Sequence, residues 1–183
     1  MKYASADLID EHEGILIGLK ILEKITENIK MNLAFERKDI GEMINFLKLF
    51  ADKCHHGKEE GLLFPAMERA GIIKENGLIG EMLKEHELGR SYIHKMQEAD
   101  HLEELDIDKY VEASMKYIDL LRAHIEKENT ILFPMGDNAI PKKVQEALLE
   151  QFETHEATVM GEGTHEKLHL MLHVFQSKYL HIV

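Results

Sequence analysis

Two copies of one short pattern carry the residues of this chain that could bind a metal ion. The first copy runs from His55 to Pro65 and the second from His124 to Pro134, and each reads His-x-x-x-Glu-x-x-x-Leu-Phe-Pro. A spacing of four residues places the histidine and the glutamate one turn apart on the same face of a helix. Both side chains can then reach the same metal centre, and imidazole and carboxylate are the donors that iron and manganese accept in helical bundles.

A further histidine precedes each copy of the pattern. His12 lies within Glu11-His12-Glu13, and His86 lies within Glu85-His86-Glu87. The order histidine then His-x-x-x-Glu therefore occurs twice, which gives two sets of three candidate ligands. We predict a site for two metal ions in which two glutamates bridge the ions and four histidines supply two nitrogens to each. The six predicted ligands are His12, His55, Glu59, His86, His124 and Glu128.

Two alternatives compete with this assignment. His56 and Glu60 have the same spacing, but their helix face also carries Asp52 and is more polar, so we favour His55 and Glu59. A single histidine on an apolar face is more often part of the core than a ligand. Burying four imidazoles and two carboxylates without a cation would, however, cost on the order of several kcal/mol for each unpaired charge. The duplicated order therefore favours a metal site.

Four amphipathic segments must position these residues. Apolar periodicity predicts helices from Ser5 to about Ile29, from about residue 38 to Gly71, from Glu75 to Glu98, and from Asp106 past Ile131. Short links and two similar helix pairs predict an all-α fold, an antiparallel up-down four-helix bundle over about residues 5–138. Pro65 and Pro134 are expected to kink or end their helices.

The remaining residues are predicted to form a C-terminal helical extension over about 141–181. It begins near Pro141 and is interrupted by Gly161-Glu162-Gly163. No internal segment resembles a domain linker, so residues 1–183 are expected to form a single domain.

Composition excludes several classes of partner. The chain has 34 acidic and 22 basic residues, a formal charge of −12, which argues against nucleic acid or an anionic membrane as the main partner. Cys54 is the only cysteine, so neither an internal disulfide nor a cysteine-rich zinc or iron–sulfur motif is possible. No apolar run approaches the ~20 residues that span a bilayer, and the first thirty residues lack the apolar core of a signal peptide. We expect a cytoplasmic protein.

The arrangement of these motifs resembles the hemerythrin-like (HHE cation-binding) family, in the subgroup with the order H-HxxxE-H-HxxxE. The resemblance extends from about Asp7 to Asp137, and the Leu-Phe-Pro after each pattern makes it specific. It implies an up-down four-helix bundle around a non-heme di-iron centre, with ligand roles for the six residues named above. The implied cofactor is two iron ions with an oxo or hydroxo bridge. Manganese or zinc is less favoured, since structural zinc prefers thiolates.

Two departures bear on the function that the resemblance implies. Oxygen-carrying hemerythrins have His-x-x-x-His on the third helix, whereas His86 is followed four residues later by Arg90. Their last pair is a histidine with an aspartate five residues on, whereas this chain has His124 and Glu128. Reversible oxygen carriage is therefore not favoured.

The leading hypothesis is a di-iron protein that handles O₂, NO or peroxide at an open iron position, in sensing, detoxification or iron homeostasis. Alternatives are a metal-stabilised sensor without turnover, repair of damaged iron centres, and a metal-free helical interaction protein. Neither catalysis nor the oligomeric state is fixed by the sequence.

A fifth imidazole could come from the C-terminal extension. His165, His169 and His173 follow one another at steps of four residues, and His165 or His169 is the better candidate because it lies near the glycine interruption. The competing interpretation, which we favour for each of them, is an amphipathic helix with Leu168 on its apolar face and histidines at the border.

Overall fold

The computed structural model describes residues 3–161 and 163–181, and they fold into helices joined by short links, with no strand among them. Glu162 in the predicted glycine interruption lies outside the described residues. The bundle consists of four long helical segments, which we call rods. Two of them are continuous α-helices. These are α1, Ala4–Lys30, and α4, Leu78–Asp100.

The other two rods mix α-helical and π-helical turns. The second rod consists of α2 (Arg37–Phe46), the first π segment (Leu47–His56), the second π segment (Glu59–Leu63) and α3 (Phe64–Arg69). The fourth rod consists of α5 (Ile107–Lys127), the third π segment (Glu128–Leu132) and α6 (Phe133–Ala139). Beyond it lie α7 (Lys142–Met160), α8 (Thr164–Phe175) and the fourth π segment (Gln176–Leu180).

The four rods pack as the bundle that the sequence predicts. α4 packs along α5, α1 packs against α5 and the first π segment, and α2 lies against α1 and α4. Asp106 caps α5, because its carboxylate accepts a hydrogen bond from the backbone N–H of Lys109. Ser5 does not cap α1. It lies inside the helix, and its hydroxyl donates to the carboxylate of Asp137 at 2.8 Å.

The buried apolar side chains form two clusters, one toward each end of the bundle. On α1 Leu8 belongs to one cluster and Ile15 to the other, with His12 between them. On α4 Met82 and Ile93 flank His86 in the same way. His12 and His86, which would be costly to bury within either apolar cluster, therefore lie between the two clusters.

Close backbone approach between α1 and α2 depends on one glycine. A Cβ atom added to Gly18 would lie 2.5 Å from a ring carbon of Phe46, which is fully buried. Gly14, one turn earlier, would meet Phe50 only at an ordinary contact distance of 3.6 Å. Of these two glycines, Gly18 is therefore the one at which the close packing of α1 on Phe46 leaves no room for a side chain.

The C-terminal extension covers one side of the bundle. α7 packs on the first and second π segments and on α1, and its buried Gln145 accepts a hydrogen bond from the backbone N–H of Ala4 at 2.9 Å. α7 ends at Met160, and Gly161 and Gly163 have φ angles of 71° and 73°, so the predicted interruption is a sharp corner before α8. In the part of the chain that the structure describes, no helix has the length and apolar character needed to cross a membrane.

Candidate metal centre

The six predicted ligands meet inside the bundle. They come from all four rods, and none of their side chains is more than 1% exposed. Their donor atoms fall into two groups, in each of which the atoms lie within 4.8 Å of one another. The first group contains His12, His55, Glu59 and Glu128, and the second contains His56, Glu59, His86 and His124.

The two glutamates lie between the histidines of the two groups. Glu59 Oε1 is 3.4 Å from Nε2 of His55, and Glu59 Oε2 is 3.3 Å from Nε2 of His86. Glu128 Oε2 is 3.3 Å from Nε2 of His12 and 3.2 Å from Nε2 of His124. Each carboxylate therefore faces one histidine from either group, which is the placement that a bridging ligand requires.

Every one of the four predicted histidines is held by its outer nitrogen. Since an ionised carboxylate can only accept, each Nδ1 beside one must carry a hydrogen, and Nε2 then points inward, where it can bind a metal ion once any proton on it is released. Metal-binding histidines are commonly fixed in this way. The Nδ1 contacts are His55 to Glu11 at 2.8 Å, His86 to Glu60 at 2.7 Å, His124 to Glu85 at 2.8 Å, and His12 to the Asn129 side-chain oxygen at 2.7 Å.

These outer contacts repeat with the sequence. The glutamate just before the first histidine of each half, Glu11 or Glu85, holds the histidine of the following His-x-x-x-Glu. That same glutamate also pairs with a lysine three residues after the held histidine, Lys58 or Lys127. The sequence alone did not assign a role to either glutamate. Their identical positions before His12 and His86 were the signal that could have identified them.

The inward-facing atoms fit a pair of bound cations. Within the described residues, Nε2 of His12 and His55 and all four carboxylate oxygens of Glu59 and Glu128 are buried without a hydrogen-bond partner. Unpaired buried groups of this kind are expensive, and ionised ones more so. The lone pairs converge on common points, so metal ions would satisfy them together.

The contact between His86 and His124 supports the same conclusion. Their Nε2 atoms lie 3.1 Å apart, while each Nδ1 already faces a glutamate. In the metal-free chain a proton on His124, whose pKa is raised, can be donated across this contact to His86. A metal ion that displaced this proton would be offered the lone pairs of both rings.

His56, which the sequence placed on a more polar helix face, is buried within the site. It is 3% exposed, its ring stacks on that of His86 with centroids 3.9 Å apart, and it joins Glu59, His86 and His124 in the second group. Both ring nitrogens are without a hydrogen-bond partner in the described structure. It thus offers the additional imidazole that we had sought in the C-terminal extension.

The protonation of the site follows from its two carboxylates. Burial alone would lower the pKa of His55, but the charge of Glu59 and the contact with Glu11 outweigh it and raise that pKa to about 10. The pKa of His124 is likewise raised to about 10, because the neighbouring charge of Glu128 outweighs burial. The pKa of Glu59 falls to about 2 despite burial and the nearby Glu128, owing chiefly to His55. Without metal, protons on these histidines balance the carboxylates.

The Leu-Phe-Pro segments explain the π-helical turns at the glutamates. Pro65 has no N–H, and its ring would collide with the carbonyl four residues earlier in an α-helix. The preceding turn is widened instead, so that the N–H of Phe64 bonds to the carbonyl of Glu59, five residues back. Phe133 and Glu128 do the same before Pro134. The prolines therefore do not end the helices. They set a π turn that starts at each glutamate, and π turns are frequent at functional sites.

The same segments also close the site against water. Phe133 stacks on His12 with ring centroids 5.5 Å apart, and Phe64 stacks on His86 at 6.0 Å. Each phenylalanine thus covers the leading histidine of the opposite half. Burial in this apolar setting strengthens charge interactions between the inward-facing atoms.

The C-terminal histidines that we considered as ligands are not brought to these two groups. His169 is exposed and His165 is half-buried, and both rings pack near Phe50, with centroids 5.9 and 5.8 Å from its ring. The amphipathic interpretation explains why, because Leu168 and Leu172 face the core and leave the histidines at the border. Cys54 is also outside both groups, and burial raises the pKa of its thiol to about 12.

Comparison with known families agrees with this geometry. Residues 4–136 match the hemerythrin HHE cation binding domain, a stretch that contains all four rods except the end of α6. Comparisons with curated proteins and with solved structures gave no significant match. Because the family match covers well over half of the chain and the fold is the expected all-α bundle, the chain belongs to the hemerythrin HHE cation-binding family.

Proposed function

We propose that this protein binds two iron ions between its four rods and presents one of them to a small oxidant such as O₂, NO or peroxide. The observation that carries the proposal is the set of buried, unpartnered nitrogen and oxygen atoms that converge from the two groups. The family match supports cation binding, and the donor set favours iron. Histidines with shared carboxylates and no thiolate suit iron better than structural zinc.

The ligands would divide unequally between the two ions. His56, His86 and His124 would supply three nitrogens to one ion, whereas His12 and His55 would supply two to the other, with Glu59 and Glu128 available to both. The ion beside His12 and His55 thus has one protein donor fewer. We propose that the small ligand binds on this side.

The chain's own residues prepare that position. Asn129 and Glu11 fix the rings of His12 and His55, and Phe133 lies against the ring of His12. Fixed rings and an apolar wall exclude water and hold the ligand position ready without reorganisation. Iron, when bound, would supply a redox-active centre that could coordinate the small molecule and, in the ferrous state, reduce it while becoming ferric.

Metal content tests the proposal directly. Purified protein should contain about two iron ions per chain, and Glu59→Ala or Glu128→Ala should reduce this to one or fewer, because each removes a carboxylate that faces a histidine of either group. Glu13→Ala is the matched control, since Glu13 is exposed beside His12 and should leave the content unchanged. Unchanged iron in both glutamate variants would refute the ligand assignment.

Addition of hydrogen peroxide then separates turnover from binding. Sustained oxygen release, absent from the Glu59→Ala variant, would support consumption of peroxide as the activity. A single stoichiometric change in the optical spectrum would instead support a sensor that binds without turnover. An iron-loaded protein whose spectrum does not respond to O₂, NO or peroxide would contradict the proposed open position.

A further inference from the structure

The corner between α7 and α8 brings together a second set of metal-binding side chains. His165 and His169 lie one turn apart at the start of α8, with their Nε2 atoms 3.2 Å apart. Glu156 of α7 lies beside His165, with Oε1 3.8 Å from Nε2 of that ring. Beside them is a cavity of ≈ 490 Å³ that Glu153 and Glu166 help to line.

The spacing of the two nitrogens is that of a shared metal ligand pair. Zinc–nitrogen bonds of about 2.0–2.1 Å at a tetrahedral angle separate two bound nitrogens by roughly 3.3 Å. Two histidines four residues apart on a helix are an established way to make such a pair, and His165-Glu166-Lys167-Leu168-His169 has the H-E-x-x-H spacing of helical zinc sites.

We propose that His165, His169 and Glu156 bind a divalent late first-row transition metal ion such as Zn²⁺. Two imidazoles and one carboxylate form an open site that leaves a position for water. The corner shares no ligand with the two groups inside the bundle, so it is a separate site. Because the side chain of Glu166 is exposed, the proposal concerns metal binding and not hydrolysis.

The corner site is connected to the bundle interior through Glu156. Its Oε2 accepts a hydrogen bond from the buried Lys58 at 2.9 Å, and Lys58 also contacts Glu11, which holds His55. A divalent ion at the corner would therefore add positive charge next to the ion pair that anchors α7. This arrangement places an external metal site within three contacts of a proposed iron ligand.

Calorimetric titration of iron-loaded, full-length protein with Zn²⁺ tests the inference. We expect one Zn²⁺-binding event that His169→Ala and His165→Ala weaken by about tenfold or more, since each removes one of three protein donors. Glu156→Gln should also weaken it while keeping an oxygen that can accept from Lys58. His173→Ala is the matched control, because His173 is exposed on the next turn of the same helix and should bind Zn²⁺ as the unmodified chain does.

Two results would overturn this site. One is that Zn²⁺ binding does not depend on His165 and His169. The other is that His173→Ala weakens Zn²⁺ binding as much as His169→Ala does. Iron content is measured on every sample before titration, so a failure of the central site is recognised separately. The comparison between His169→Ala and His173→Ala stays informative whether or not the bundle holds iron.

Discussion

Glu85 Oε2 lies 2.8 Å from Nδ1 of His124, so a residue from α4 fixes the ring of a proposed ligand on α5. The contact joins the two rods that pack most extensively and turns the inner nitrogen of the ring toward Glu128. Glu11 and His55 form the equivalent contact between α1 and the second rod. Ligand orientation in this protein is therefore a property of helix pairs and not of single helices.

Removal of the outer carboxylate should weaken iron binding without removing any donor. We expect Glu85→Gln to lower iron affinity by about 10–100-fold, because His124 would lose the charged acceptor that fixes its ring and increases its basicity. Competition with a chelator measures this affinity. Glu87→Gln is the control, since Glu87 is exposed and contacts Arg90 but no histidine. Equal affinities in the two variants would show that the Glu85 contact is incidental.

Loss of His56 should affect one ion more than the other. His56→Ala leaves two imidazoles in the second group, so we expect iron content to fall toward one per chain while the helix content is retained. The comparison is His101→Ala, which changes an exposed histidine beyond the end of α4. Elemental analysis and circular dichroism provide the two measurements. Two tightly held iron ions in His56→Ala would exclude His56 from the ligand set.

Iron uptake should release protons, and it should become stronger as the pH rises. His55 and His124 have pKa values raised to about 10, so both carry protons in the metal-free chain at neutral pH. A metal ion must displace those protons, and the cost of this displacement declines as the pH approaches 10. Calorimetry in buffers of different ionisation enthalpy should detect about two protons released per chain near pH 7.5. Uptake without proton release would contradict the protonation that we assign.

The free energy of unfolding of the metal-free chain should depend on pH in the opposite sense, and should decrease as the pH rises. A histidine with a raised folded pKa stabilises the fold fully below its unfolded pKa near 6.5, and this contribution is lost as the pH rises through the folded value of about 10. We therefore expect the free energy of unfolding of metal-free protein to fall between pH 7 and pH 10 by more than that of the iron-loaded protein. Equal slopes would argue against charged histidines in the empty cluster.

The approach of α1 to α2 yields a prediction about stability alone. Gly18→Ala should lower the free energy of unfolding by about 1–3 kcal/mol, because the new methyl group would overlap the buried ring of Phe46. Gly14→Ala on the same helix meets only ordinary contacts, and it should be neutral or stabilising by up to about 1 kcal/mol through helix propensity. Denaturant unfolding of the two variants tests this difference. A Gly18→Ala variant as stable as Gly14→Ala would show that the ring of Phe46 moves aside freely.

The sequence was sufficient to predict the bundle and the convergence of six side chains, since both follow from helical periodicity and from a duplicated pattern. It did not predict the π segments, because the hydrogen bonds that widen a turn depend on where the backbone must yield to Pro65 and Pro134. The burial of His56 was not predicted either, because His56 lies in the first π segment. In a regular α-helix, residue 56 would point away from the face that carries His55. The wider turns of the first π segment let His55 and His56 both face the interior.

Each half of the chain makes contacts that the first histidine of the other half requires. Three residues that follow His55 in the sequence contact His86: Glu59, Glu60 and Phe64. The three equivalent residues that follow His124 make the same contacts with His12: Glu128, Asn129 and Phe133. A fragment containing either half by itself would hold an unfinished pocket. The other half would have to be supplied, either within the same chain, as here, or as a separate fragment that binds to the first.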